Sequence, residues 1–218
     1  MAKPIGKLKD GREVFQNCLP LNAQIQDFHS LGIKLASPDD VALIRIERLS
    51  DNYSRTSMMP IRAMKKPTIL TRISEFMSPL MVEVIIEAHR QGNYPIIFSD
   101  SSYEVLCEKA KTQLNMAPED RDVHILEGKA DNEGKFFLTP EMDDTKFIFR
   151  KHASEYFKGR HTQIPFYDLQ DVAPKGKTVA NYLWFDVPQD GSGLSARYRD
   201  LNDDNRAFGM AFAKALYL

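Results

Sequence analysis

The sequence is short of the patterns that would name a function outright. It holds two cysteines in 218 residues, Cys18 and Cys107. Neither lies in a CxxC or Cys/His ligand spacing, which excludes a disulfide framework and a structural zinc site. No stretch approaches the ~18 apolar residues of a membrane span, and the opening residues 1–7 are not followed by the apolar segment of a secretory signal. A reducing cytoplasm is therefore the expected compartment, and no membrane partner is expected. There is no P-loop: residues 190–194, Asp-Gly-Ser-Gly-Leu, have the glycines but no helix opening directly behind them. Excess charge is missing too. With 29 Lys+Arg against 30 Asp+Glu, net −1, bulk electrostatics will not hold a nucleic acid or a membrane surface.

What is present is an ordinary globular composition, 43% hydrophobic and 27% charged, enough to bury a core within one domain spanning 1–218. The charges are segregated along the chain. From Asn52 to Ser74 there are five basic residues and no acidic one, whereas Ala117 to Asp144 carries nine acidic residues against three basic. Such asymmetry points to docking surfaces.

Periodicity supplies the elements. Asn22 to Leu31, stopped by Gly32, reads as a short helix, and Val41 to Leu49 alternates Ile44 and Ile46 against Arg45 and Glu47 in the manner of a half-buried strand. Strands are predicted near 68–71, 95–99 and 122–127. Between them fall a helix at 79–91, capped by Ser78 with Pro79 at its first position, and a helix at 102–115, opened by Ser101 and Glu104. This strand–helix–strand–helix–strand order predicts right-handed crossovers in a parallel sheet. Lys135–Leu138, Lys146–Arg150 and Val179–Val187 would add antiparallel strands, and Phe208, Phe212 and Leu216, four apart, predict a C-terminal helix from about Asp203. The fold class expected is α/β: a three-layer-like domain with a partly parallel central sheet.

In such a sheet ligands bind beyond the carboxyl ends of the strands, where helix N-termini offer free N–H groups. The three strand ends are residues 71–75, 100–102 and 127–129, and they bring together Arg72, Asp100, Ser101, Ser102, Glu127 and Lys129. Asp100 and Glu127 would hold Mg²⁺ through oxygen ligands, and Lys129 or Arg72 would offset charge on a phosphate. An acidic residue followed, one helix later, by Glu-x-Lys resembles the pattern of restriction-type metal-dependent nucleases. It departs from that pattern in that Ser99, not proline, precedes Asp100. The plainer reading of Ser101, Ser102 and Gly128 is helix capping and turn geometry.

A second feature is the run from Ser50 to Lys66, which lacks either periodicity and carries Arg55, Arg62, Lys65 and Lys66 with Tyr53 among them. It would close over an anion or lie as a solvated loop. The aromatic and basic stretch from Lys146 to His161 suits stacked bases, although Phe147-Ile-Phe149 reads equally as strand core. The resulting expectation is a protein that binds a phosphate-bearing ligand, nucleic acid or nucleotide, with metal-dependent phosphodiester hydrolysis as its chemistry. The alternative is a non-catalytic protein–protein interaction or regulatory module whose charged segments are docking surfaces.

Overall fold

Residues Arg12–Leu19 and Asn205–Phe212 pair antiparallel along their whole length, so that the two ends of the chain close one sheet together. The computed structural model describes residues 1–63, 67–72, 87, 90–91, 96–132, 136–158, 163–167, 177–180, 183–185, 193–195 and 204–212. In chain order the strands are β1 (Lys3–Lys7), β2 (Arg12–Leu19), β3 (Lys34–Leu35), β4 (Ser54–Arg55), β5 (Met59–Arg62), β6 (Thr68–Thr71), β7 (Ile96–Phe98) and β8 (Val123–Ile125). They continue with β9 (Lys129–Ala130), β10 (Phe136–Leu138), β11 (Ile164–Tyr167), β12 (Thr178–Ala180), β13 (Trp184–Phe185), β14 (Leu194–Ser195) and β15 (Asn205–Phe212). The helices are α1 (Leu21–Ser30), α2 (Pro38–Ile46), α3 (Asp100–Thr112), α4 (Asp143–Phe149) and α5 (Ala153–Phe157).

The larger sheet runs β1-β2-β15-β4-β13-β14-β11-β10-β9, with β3 also on β15; the smaller runs β7-β12-β5-β6-β8. This corrects the expected parallel α/β sheet. Every pairing in the smaller sheet is antiparallel, and β6 lies against β8 in that sense, Ile69 opposite Ile125 and Thr71 opposite Val123. No crossover unit joins them as neighbouring parallel strands. The parallel pairs of the described residues, β11 with β14 and β15 with β4, lie in the other sheet.

Three further expectations change. Val41–Leu49 is not a strand: Pro38–Ile46 is helical, opened by a reciprocal cap in which Ser37 Oγ accepts from Asp40 N at 3.2 Å and Asp40 Oδ2 accepts from Ser37 N at 2.9 Å. The apparent polar phase of its alternation is buried as well, since Arg45 lies with its Cζ 4.0 Å from the Phe185 ring centre and donates to Tyr156 Oη at 3.1 Å. Lys146–Phe149 forms the end of α4, which buries Phe147, Ile148 and Phe149 together, and Arg150 follows as its C-cap. The C-terminal residues from Asn205 to Phe212 form a strand, not a helix. The helix expected at 79–91 lies outside the described residues apart from Glu87, Arg90 and Gln91.

Two cores result. Ile44, Phe147, Phe149, Tyr156, Phe185 and Phe208 belong to the larger. Phe28, Ile33, Ile61, Ile69, Tyr103 and Val123 belong to the smaller, beneath α1 and α3. Gly209 lets α1 approach β15 closely: a Cβ there would collide with Ile33 Cγ2 and lie 2.9 Å from Phe28 Cε1.

Candidate functional site: a charged cleft

Between the β1–β2 turn, the start of α2 and the turn after α4, two cavities of about 680 and 610 Å³ share Arg12, Ser37, Asp40 and Arg150. Both fall in the size range of ligand sites. The turn residue Gly11 has φ +92, which only glycine adopts without strain, and it places Asp10 and Arg12 side by side. Arg12 Nε and Nη2 each donate to Asp10 Oδ2 at 2.8 Å, and Nη1 donates to Asp40 Oδ1 at 2.5 Å. The Arg12 hydrogen bond holds the Asp10 carboxyl below its usual range. Behind them Asp39 Oδ1 meets His152 Nδ1 at 2.8 Å, and burial, opposed by His152, pushes the Asp39 carboxyl up.

Arg150 lines both cavities. Its backbone has φ 43 and ψ −132, a conformation costly for a residue with a Cβ. Its side chain is exposed, and among the described residues its guanidinium makes no hydrogen bond or ion pair. Arg72 lines the second cavity beside it. Arg72 Nη1 donates to Glu119 O at 2.7 Å, its Cζ lies 4.3 Å from the Phe147 ring centre, and its Nη2 is buried without a partner among the described residues. Burial first, and the charge of Arg150 second, pull the Arg72 guanidinium down to about 9, which leaves it a cation at neutral pH.

Of the strand-end and loop candidates named in the sequence, Arg72 reaches this cleft, and the basic, aromatic stretch 146–161 contributes Arg150 and Lys151 to it. Asp100 and Glu127 are not brought together. They follow β7 and β8, the opposite edges of the five-stranded sheet, four strand spacings or about 19 Å apart. Asp100 Oδ1 accepts from Thr178 Oγ1 at 2.7 Å. Ser99 caps α3, and its Oγ lies 3.0 Å from Ser101 Oγ and 2.8 Å from Ser102 Oγ, so both predicted serines are engaged in the cap. Glu127 N donates to Asp144 Oδ1, and Lys129 sits exposed on the outermost strand of the larger sheet. No group of three or more His, Cys, Asp or Glu side chains among the described residues is placed to hold a metal ion.

The Ser50–Lys66 stretch is likewise not an open loop, since it contributes β4 and β5. Arg55 is 1% exposed, donates to Gln24 Oε1 at 3.0 Å and faces the Trp184 ring at 4.9 Å. Arg62 is half-buried on β5, whereas Lys65 and Lys66 lie outside the described residues. Phe147 and Phe149 are core, which removes them as stacking platforms. The cleft residues Asp10, Arg12, Asp39 and Asp40 were overlooked. The Asp10-Gly11 turn pair and the Ser37-Pro-Asp-Asp40 cap motif mark two of its walls in the sequence. Arg150 lies in the basic, aromatic stretch 146–161, whose composition points to an anion but not to this cleft.

No family model matches the chain, and no curated protein matches it. A solved structure from work on how the C-type lectin fold accommodates massive sequence variation in Nanoarchaeota does match, with a TM-score of 0.59 and 13% identity over 97% of this chain and 98% of that one. This finding, with the mainly β topology, overturns the α/β assignment and removes the support for a nucleic-acid-binding, metal-dependent hydrolase. No helix among the described residues is long and apolar enough to cross a membrane. At that level of identity the likeness speaks for architecture alone: the chain has the C-type lectin fold.

Proposed function

We propose that this protein is a recognition module that grips a polypeptide partner in the cleft around Arg150. The observation that carries the reading is that guanidinium, carried on a strained backbone and lining two adjoining cavities with no partner of its own among the described residues. Strain of this kind persists where the surrounding structure over-determines it, and it concentrates at ligand sites. The cleft is preorganised. Arg12 is fixed between Asp10 and Asp40, and Asp39 is fixed by His152, so these walls lose little side-chain entropy on binding, and Arg150 is the side chain that binding would order.

Both signs of charge line the cleft, which suits a ligand that itself carries both signs and disfavours a uniform polyanion. The neighbouring structure is in keeping with the same reading, because its fold accommodates massive sequence variation, as a scaffold for a variable binding surface must. Cys18 and Cys107 are free thiols, in keeping with a reducing compartment.

Selection of a random peptide library on the purified protein tests the proposal. Enriched peptides should combine acidic and basic residues, lose affinity at high salt, and fail to bind the Arg150→Ala variant. A library that yields no such binder, or binders indifferent to Arg150→Ala, would sink it.

A further inference from the structure

The two cavities differ in chemistry. The first is lined by five carboxylates, Asp10, Asp39, Asp40, Glu119 and Asp120, against three cations, Arg12, Arg150 and Lys151, and so is acidic on balance. The second has apolar lining from Ile25 and Phe28 of α1, Ile33, Leu35 of β3 and Met210 of β15, and is lined by Arg72 and Arg150 as well. Resting on the recognition reading above, we propose that the second cavity takes the C-terminal residue of a partner peptide, an apolar side chain against the hydrocarbon wall and its terminal carboxylate on Arg150, while the acidic cavity takes a basic residue upstream.

The chemistry of the walls selects that ligand. Arg150 is the uncommitted guanidinium of the cleft among the described residues: Arg12 is already bound by two carboxylates and Arg72 by the Glu119 carbonyl. A guanidinium presents a planar fork that matches a carboxylate bidentately. Arg72 and Arg150 also repel one another, a repulsion felt in the depressed affinity of Arg72 for its proton. An anion seated beside them relieves it. A free carboxylic acid would satisfy the cations and the apolar wall but would leave the acidic cavity unused. The polypeptide source follows from the shared edge of the two cavities, through Arg12, Ser37, Asp40 and Arg150, which lets one extended chain occupy both.

The test measures fluorescence anisotropy with a labelled hexapeptide, Ser-Gly-Lys-Gly-Ser-Leu, carrying a free C-terminal carboxylate. It is compared with its C-terminal amide, with the same peptide ending in serine, and with 4-methylpentanoate as competitor. The free-acid peptide should bind, amidation should weaken it about tenfold or more, and Arg150→Ala should erase the difference between acid and amide. Terminal serine should weaken binding as well. A circular dichroism melt of Arg150→Ala verifies that the variant is folded. Equal binding of acid and amide overturns this inference and leaves the recognition reading standing. Displacement by 4-methylpentanoate alone at the peptide's own affinity overturns the polypeptide source. Failure of the hexapeptide, together with failure of the library selection, removes both.

Discussion

Asp144 Oδ1 lies 2.7 Å from His124 Nε2, with the carboxylate fully buried and the imidazole 4% exposed. The other ring nitrogen, Nδ1, lies 3.1 Å from Arg121 Nη1. A guanidinium can only donate, so Nδ1 accepts and the ring proton sits on Nε2, pointing at Asp144. The same Oδ1 accepts from Glu127 N at 2.7 Å. One carboxylate thus ties α4 to β8 and to the strand end beyond it, and burial pushes its proton affinity up.

Removing that carboxylate strands the buried His124 donor and leaves the part-buried Glu127 N–H without its acceptor. Asp144→Ala is expected to destabilise the protein by about 3 kcal/mol, since breaking a buried, hydrogen-bonded polar network by deleting one partner costs far more than its net contribution. Urea denaturation measures it. A loss below ~1 kcal/mol would mean that water or a neighbouring group replaces the acceptor.

Asp39 gives a pH signature of definite sign. Its folded proton affinity is raised above the ordinary 3.8 because burial opposes the charged form. The protonated form is therefore favoured by folding: the associated stability is present below 3.8 and is lost as pH rises through the raised folded value. Asp39→Asn keeps an acceptor for His152 and cannot ionise. The stability of the variant relative to wild type should then climb with pH above 3.8 and level off, as followed by thermal melts between pH 3 and 7. A pH-independent difference would contradict the assignment.

Arg150 separates stability from binding. Arg150→Gly relieves a backbone strain of about 1–3 kcal/mol against an unfolded-state entropy cost of about 0.5–1 kcal/mol. A net gain near 1 kcal/mol is expected, seen as a higher urea midpoint at unchanged m. Arg150→Ala retains the strain and should stay within ~0.5 kcal/mol of wild type. Both should lose ligand.

Gly209 allows no Cβ. Gly209→Ala drives a methyl into Ile33 and Phe28, and overpacking of this kind costs about 1–3 kcal/mol. Phe28→Leu in the same chain should recover part of that loss by making room. If Gly209→Ala melts like wild type, α1 has room to shift away from β15.

Local signals were sufficient wherever a segment's own residues decide its conformation. The helix α3, though Ser99 caps it rather than the predicted Ser101–Glu104 box, the short α1, and the apolar runs that became β6, β7, β8 and β10 were all legible, because stops and β-branched or aromatic runs act within a few residues. Three segments were read with the wrong period, each for a physical reason. α2 and α4 are buried nearly all round, so apolar residues fill every phase and periodicity loses its meaning. The spacing of four between Phe208 and Phe212 fits a helical turn and is also twice the strand period, and the strand prevailed because β2 offered a full-length partner. Composition, cysteine usage and the absence of long apolar runs were the sequence's own to determine. The direction and order of the strands were not, because hydrogen-bond partners far apart in the chain select them. That choice carried Asp100 and Glu127 to opposite edges of one sheet and gathered Arg12, Asp40, Arg72 and Arg150, from four separate stretches of chain, around one cleft.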